Sequence, residues 1–223
     1  MKKLSPSNFQ TLSAPIYHEW IVQLISGAYE PGQRLKLNEL AEQTGTSVSP
    51  VREALIRLVA EDSVEMSSLR AFAVPVLSSS RFNQILSMRL ALEGLAVEKA
   101  AENITQGDLE ELSKLHAKFI SAEADQKRFE TQSLNRKIHF LIYDRANMPM
   151  LMSSILNLWA KMGPILRVYY SERIHLTRGA PDHLNLFDAL GAKDCSRAVA
   201  AVQADIIHGC SAIDSYIREL EGT

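Results

Sequence analysis

The chain has 223 residues, a hydrophobic fraction of 46% and a formal net charge of −2 at neutral pH. This length and apolar content allow a large buried core, in one or two domains, without disulfide bonds or structural metals. The near-zero net charge excludes a protein that binds nucleic acid through bulk positive charge. Any nucleic-acid contact must therefore come from a small basic patch on the surface.

The two cysteines, Cys195 and Cys210, lie fifteen residues apart on one predicted helix. At the helical rise this places them about 22 Å apart, too far for a disulfide bond. Two unpaired thiols are typical of a reducing compartment. No apolar run reaches the length of a signal peptide or a membrane span. The sequence therefore predicts a cytoplasmic protein with no membrane partner.

Three helices are predicted in the N-terminal region. Residues 15–28, which begin with proline, carry apolar residues at helical spacing, and the segment YEPGQRL predicts a turn after them. Asn38 is placed to cap a short second helix that stops at Gly45. Ser49 before Pro50 is a start signal for a third helix, PVREALIRLVAED.

Two short strands are predicted next, at residues 64–67 and 71–74, joined by a tight turn. Three helices followed by a hairpin is the order of a winged helix-turn-helix, an α+β unit whose third helix enters the DNA major groove. A proline and a serine run then indicate a linker. We therefore predict a DNA-binding domain over residues 1–78.

From residue 80 to the end, the apolar spacing is helical. The predicted helices span residues of about 80–102, 106–124, 126–147, 149–176, 181–191 and 193–220. The predicted fold class is therefore mostly α: a winged helix-turn-helix followed by an all-helical bundle over residues 79–223.

Four polar residues interrupt the apolar stripes of this bundle. Asn135 and His139 are four residues apart and share one helical face, so their side chains project side by side. His183 and Asp205 lie on the apolar stripes of two later helices. A single such residue is more often a hydrogen-bonded core residue, but four of ligand type indicate a shared pocket. His116 has no motif around it and is predicted to be a surface or ordinary packing residue.

Arg89 lies on the apolar face of the first long helix of the bundle. An uncompensated charge is costly there. The simplest interpretation is an ion pair with Glu93, four residues later. The alternative is that Arg89 binds a ligand.

The segment LNELAEQTGTSVSPVREALIRLVAEDSVEM, preceded by PGQRL and followed by RAFAVPVLS, resembles the DNA-binding domain of the GntR family. The resemblance implies binding to double-stranded DNA as a homodimer on an inverted-repeat operator. The family usually carries Arg where this chain has Val48, so Arg52 is the main basic group predicted on the recognition helix. The alternative for Arg52 is a surface pair with Glu53 or another acid. The other predicted DNA contacts are Ser47, Ser49 and Arg57 near the recognition helix, and Arg34, Lys36 and Arg70 for phosphates.

Residues 80–215 resemble the FCD domain, the effector module of FadR-type GntR regulators, through MRLALEGLAVEKAA, LNRKIHFLIYDRANMP and HLNLFDALGAKDCSRAVAAVQADI. The resemblance implies a metal held by Asn135, His139 and His183, with Asp205 where the family normally has a third His. Such a nitrogen and oxygen set suits zinc, nickel or manganese. The alternative is that metal binding has been lost and the cluster lines a wet pocket.

The resemblance also implies a mechanism. A small carboxylate would bind the metal and Arg89, with Arg167 and Tyr170 as further pocket residues, and a repressor would then leave its operator. Two other functions compete with this one: a metal-dependent hydrolase, and a DNA-binding protein whose helical domain only dimerises. The sequence has no HExxH pattern, nucleophile elbow or phosphate loop, so an enzyme is not expected.

Overall fold

The computed structural model describes residues 7–67, 71–172 and 180–222, and these ranges contain nine helices and three short strands. The chain divides into two compact units, Met1–Leu77 with Trp159–Val168, and Ser78–Leu158 with Tyr169–Thr223. The mostly helical fold class is confirmed. The predicted boundary after residue 78 stays a prediction, and residues 159–168, which it assigned to the helical domain, group with the first unit.

The first unit has the element order of a winged helix. Its elements are α1 (Ser7–Ile25), β1 (Arg34–Leu35), α2 (Leu37–Gln43), α3 (Val48–Ala60), β2 (Glu65–Met66) and β3 (Phe72–Ala73). The strands form an antiparallel sheet in the order β1-β3-β2, in which Leu35 and Met66 both pair with Phe72. Helix α3 buries one face: Leu55 and Leu58 are at most 1% exposed. This burial fixes which side of α3 faces solvent.

The structure corrects two predictions at the start of this unit. Helix α1 begins at Ser7 instead of residue 15, and Pro15 lies inside it. Proline lacks one hydrogen-bond donor, but its fixed φ angle is helical. Strand β1 lies in the segment predicted as a turn, because the backbone next to it bonds β3: Val74 N donates to Gln33 O at 3.0 Å. A two-residue strand leaves no alternation for a sequence pattern to detect.

The predicted helix caps are also shifted. Asn38 and Ser49 both lie inside their helices, because α2 begins at Leu37 and α3 at Val48. Neither helix has a side-chain cap bond. Gly45 adopts a φ of +62° in the turn between them, a conformation that glycine reaches without strain.

The second unit is helical throughout its described part. Its helices are α4 (Ser79–Asn103), α5 (Gln106–Ala124), α6 (Arg128–Asp144), α8 (Ala180–Gly191), α9 (Cys195–Glu221) and the parts of α7 (Pro149–Glu172) outside residues 159–168. Helix α4 packs along α9 and also contacts α6, while α5 packs on α6 and α8. The predicted end of α7 at residue 176 lies outside the described residues. No described helix is both long and apolar enough to cross a membrane.

A capping box begins α5 and is tied to the end of α6. Thr105 Oγ1 accepts from Asp108 N at 3.2 Å, and Asp108 Oδ2 accepts from Thr105 N at 2.9 Å. Arg145 Nε, just after α6, donates to Asp108 Oδ1 at 2.9 Å. The bond from Arg145, followed by that from Thr105, lowers the pKa of Asp108 to about 2.

The ionised form of Asp108 therefore stabilises the fold above its ordinary pKa of 3.8, and this contribution is lost as the pH falls toward about 2. We expect Asp108→Asn to lower the free energy of unfolding by about 1 kcal/mol at pH 7, as the loss of a helix-cap partner does. In urea unfolding, the free energies of unfolding of wild type and variant should become equal as the pH falls from 4 to 2. Asp188→Asn, at an exposed site on α8, is the control and should show no such convergence. A difference for Asp108→Asn that does not change with pH would contradict this assignment.

Candidate functional site

Three ligand-type side chains from three helices meet inside the second unit. His139 on α6, His183 on α8 and Asp205 on α9 place their ligand atoms within 4.8 Å of one another. Asp205 Oδ2 lies 3.1 Å from His139 Nε2, and Asp205 Oδ1 lies 3.8 Å from His183 Nε2. Asn135 lies one turn before His139 on the same face of α6 and is partly buried. The structure thus brings His139, His183 and Asp205 together.

His183 is the unusual member of this cluster. It is fully buried, and neither ring nitrogen has a hydrogen-bond partner in the described part of the chain. Burial, and next the charge of His139, lower the pKa of His183 to about 4, so the ring is neutral at pH 7. An unsatisfied buried polar group costs about 1–3 kcal/mol, whereas neutral imidazole is a good metal ligand. The donor set therefore fits a divalent metal.

Asp205 supplies the negative charge of the cluster. Its burial favours the neutral acid, but His139 and then His183 outweigh burial and hold the pKa of Asp205 below its ordinary value. The carboxylate is therefore ionised at neutral pH. Each of its oxygens faces a different histidine.

An aromatic wall borders His183. Phe187 stacks on the His183 ring with centroids 6.2 Å apart, and Phe119 and His116 meet the ring edge-on at 5.0 and 5.6 Å. His116 is only 8% exposed and packs on the His183 ring, so of its two predicted environments, surface and ordinary packing, the structure has packing. Sequence spacing could not reveal this contact, because His116 and His183 lie on different helices.

Arg89 joins the cluster through a row of side chains. Arg89 Nε donates to Glu93 Oε1 at 2.6 Å, and Nη2 donates to Oε2 at 3.3 Å. Tyr143 Oη donates to Glu93 Oε2 at 2.5 Å and lies 2.9 Å from His139 Nδ1. The pairing of Arg89 with Glu93, the simplest interpretation of the sequence, is present. The role of Arg89 as an effector contact stays a prediction. Sequence analysis missed Tyr143, although it lies one turn after His139 on the same face.

The two other predicted effector contacts differ. Burial, and next the neighbouring Tyr169, raise the pKa of Tyr170, and its role as an effector contact stays a prediction. Arg167 is not brought to the cluster. Its Nη1 donates to Gly27 O at 3.0 Å and its Nε lies 3.5 Å from Glu30 Oε1, contacts that belong to the first unit.

The solvent face of α3 carries the predicted base contacts. Ser47, Ser49 and Arg52 are exposed at its start. The Arg52 side chain makes no ion pair or hydrogen bond with any described residue. The alternative pair with Glu53 is therefore not formed. Ile56, one turn after Arg52, is 50% exposed and was missed by the sequence analysis. Its position next to Arg52 makes it available to a thymine methyl group.

The remaining basic residues are held differently. The Arg57 guanidinium lies 3.6 Å above the Tyr17 ring and 3.2 Å from Glu61, so Arg57 is engaged within the unit. Lys36 Nζ lies 2.7 Å from Glu39 in an exposed pair, and Arg34 is exposed on β1. Arg70 lies outside the described residues.

The first unit is a winged helix with a solvent-facing arginine on its third helix. The second unit is helical and buries a cluster of ligand-type side chains. Together the two units are typical of a DNA-binding regulator with an effector module. Residues 12–74 match the family of bacterial regulatory proteins called gntR, and residues 84–208 match the FCD domain. The chain therefore belongs to the GntR family of transcriptional regulators and carries an FCD effector-binding domain.

Known regulators resemble the chain over most of its length. The HTH-type transcriptional regulator McbR of Escherichia coli (strain K12) is 38% identical over 185 residues, which cover 81% of this chain and 84% of McbR. The solved structure of E. coli McbR/YncC has a TM-score of 0.84 at 33% identity and covers 92% of this chain and 98% of that one. The E. coli repressor GlaR is 24% identical over 196 residues, covering 81% of this chain and 86% of GlaR. These relatives are regulators, which confirms a regulator over an enzyme.

Arg52 and Arg57 provide a matched pair for testing the DNA face. We expect Arg52→Ala to weaken operator binding by about 1–3 kcal/mol, or about 5- to 150-fold, with little change in stability. Arg57→Ala should instead lower the free energy of unfolding by about 1 kcal/mol, because it removes the contacts with Tyr17 and Glu61. Fluorescence anisotropy with operator DNA and urea unfolding measure the two effects. Equal losses of DNA affinity in both variants would contradict this division.

Proposed function

We propose that this regulator is a cytoplasmic repressor that leaves its operator when a small carboxylate binds in the helical domain at a divalent metal. The observation that carries the proposal is the buried cluster of His139, His183 and Asp205, in which neither His183 nitrogen has a hydrogen-bond partner among the described residues. An apolar side chain would serve a purely structural core better, because an unsatisfied buried group destabilises the fold.

The residues that would hold the metal are His139, His183 and Asp205, together with Asn135. Two imidazoles, a carboxylate and an amide oxygen suit zinc, nickel or manganese. When bound, the metal would supply open coordination positions for carboxylate oxygens. Asp205 contributes a negative charge that a histidine would not, so it reduces the attraction of the loaded site for an anion. The effector must therefore gain part of its affinity from other donors.

Arg89 and Tyr170 are the proposed donors. Arg89 carries a permanent positive charge, and the Glu93 carboxylate outweighs the effect of burial and raises the pKa of Arg89 further. Because Arg89 already donates to Glu93, an effector carboxylate would share the guanidinium with that residue. Tyr170 keeps its proton at neutral pH and offers a hydroxyl donor.

On the DNA side, we propose a homodimer that binds an inverted repeat, with α3 of each copy in a major groove. Half-sites of such dimers lie about 34 Å apart, one turn of DNA. A change in the spacing of the two recognition helices therefore costs affinity. Effector binding would act by favouring a dimer with the wrong spacing.

The metal site is tested by replacing one histidine inside the buried cluster, His183, and one exposed histidine outside it, His208. Wild type should take up about one equivalent of zinc, and His183→Ala should weaken zinc binding at least about 100-fold. His208→Ala is the matched control, because His208 is exposed and lies 2.9 Å from Asp182 instead of in the cluster. Competition titration with a chromophoric chelator and elemental analysis give the readout. Wild type that holds no metal, or equal loss in both variants, would overturn the site.

Effector action is tested by linkage between ligand and DNA. Titration calorimetry of the zinc-loaded protein with a panel of small mono- and dicarboxylates should give heat for some members, and His139→Ala should abolish it. The same compounds should weaken binding to an operator obtained by site selection, and operator DNA should weaken carboxylate binding by the same factor. If the helical domain only dimerises, no carboxylate will give heat and operator affinity will stay constant.

A further inference from the structure

A continuous row of buried side chains runs from Arg89 on α4 to His139 on α6. Arg89 holds both oxygens of Glu93, at 2.6 and 3.3 Å, and Glu93 Oε2 accepts from Tyr143 Oη at 2.5 Å. Tyr143 Oη lies 2.9 Å from His139 Nδ1. Each of these residues is less than 8% exposed, so water does not compete for the bonds. The row is therefore a defined set of bonds.

The direction of these bonds follows from counting protons. Glu93, paired with a guanidinium through both oxygens, can only accept hydrogen bonds. The single hydroxyl proton of Tyr143 is used toward Glu93. The Tyr143 oxygen can then only accept from His139, so the proton must lie on His139 Nδ1.

The opposite ring nitrogen of His139 faces the cluster. Nε2 lies 3.1 Å from Asp205, on the side where His183 also lies. A histidine that binds a metal through one nitrogen usually donates from the other, and that donation fixes the ring and its protonated form. In this protein the acceptor is the Tyr143 oxygen. Arg89 and Glu93 determine the direction in which the Tyr143 hydroxyl donates, and so leave its oxygen to accept from His139.

We propose that Arg89, Glu93 and Tyr143 form a positioning chain that keeps a proton on His139 Nδ1 and orients the ring so that Nε2 faces Asp205 and His183. The consequence for metal affinity rests on the metal site proposed above, whereas the position of the proton does not.

The proton position can be measured directly in metal-free protein. Histidine-labelled wild type should show, by long-range ¹⁵N–¹H NMR, a protonated Nδ1 on His139. Tyr143→Phe removes the oxygen that accepts from Nδ1, whereas Asp205 still lies 3.1 Å from Nε2 on the opposite side of the ring. The Nδ1 shift should therefore move toward that of an unprotonated nitrogen. An unprotonated Nδ1 in wild type, or no change in the variant, would overturn the proposal.

Zinc affinity supplies the second readout. Tyr143→Phe should weaken zinc binding about 10- to 100-fold, the usual effect of removing a partner of a metal-binding histidine. Tyr17→Phe is the matched control, since Tyr17 is buried and donates to Glu61 at 2.5 Å in the first unit, and its zinc affinity should equal that of wild type. Equal affinity in wild type and Tyr143→Phe would overturn the proposal. If wild type binds no zinc, the metal site is wrong and the NMR result still decides the positioning chain.

Glu93→Gln tests the chain one step further away. The Gln amide can donate to Tyr143, which releases the hydroxyl proton toward His139 and removes the need for a proton on Nδ1. We expect the ¹⁵N chemical shift of His139 Nδ1 to move toward that of an unprotonated nitrogen, as in Tyr143→Phe, and zinc binding to weaken. The double variant Glu93→Gln with Tyr143→Phe should have the same zinc affinity as whichever single variant binds zinc less tightly. Both substitutions interrupt the same row of hydrogen bonds, so their effects should not add. Additive losses of zinc affinity would contradict the proposal that Arg89, Glu93 and Tyr143 act as one positioning chain. Thermal unfolding verifies that each variant is folded.

Discussion

The buried ion pair between Arg89 and Glu93 is the interaction on which the effector unit depends. The two residues are 7% and 0% exposed, and moving each charge out of water costs several kcal/mol unless partners compensate for it. Compensation comes from helices far apart in sequence: Tyr143 on α6 donates to Glu93, and the Cys210 sulfur on α9 accepts from Arg89 Nη1 at 3.7 Å. These helices must therefore keep a fixed spacing. A site built in this way is more rigid than one carried on loops.

The DNA-binding unit distributes charge in the opposite way. Arg34, Lys36, Arg52 and Arg57 lie at the surface, and two of them, Lys36 and Arg57, are paired with neighbouring acids. A nearly neutral unit that binds DNA must contact phosphates through a few exposed basic side chains instead of through its net charge. We expect the exposed side of α3, where Arg52 and Ile56 lie, to carry a large part of the binding free energy. The replacement of the usual arginine by Val48 has the same consequence.

Much of the fold could be predicted because apolar periodicity records which face is buried. The bounds of α5 agree with the prediction, and α3 buries the stripe that its sequence indicated. The errors occur where local signals conflict with tertiary contacts. Pro15 resembles a helix start, yet α1 continues through it. Asn38 resembles a cap, yet α2 begins before it. Strand β1 is too short for any pattern and exists because β3 pairs with it.

The candidate site was predictable only where spacing along one helix or family resemblance placed a residue. Tyr143 lies one turn after His139 on the same face of α6 and was missed although spacing could have found it, whereas the contact of His116 with His183 required the packing of separate helices. The contacts of Arg167 with Gly27 and Glu30 lie outside the cluster. Asp205 shows what its own chemistry adds. A carboxylate presents one oxygen to His139 and the other to His183, which a single imidazole in its place could not do. Asp205 Oδ1 nevertheless lies 3.8 Å from His183 Nε2, beyond hydrogen-bond distance. The two His183 nitrogens, which have no hydrogen-bond partner among the described residues, therefore remain available to a metal.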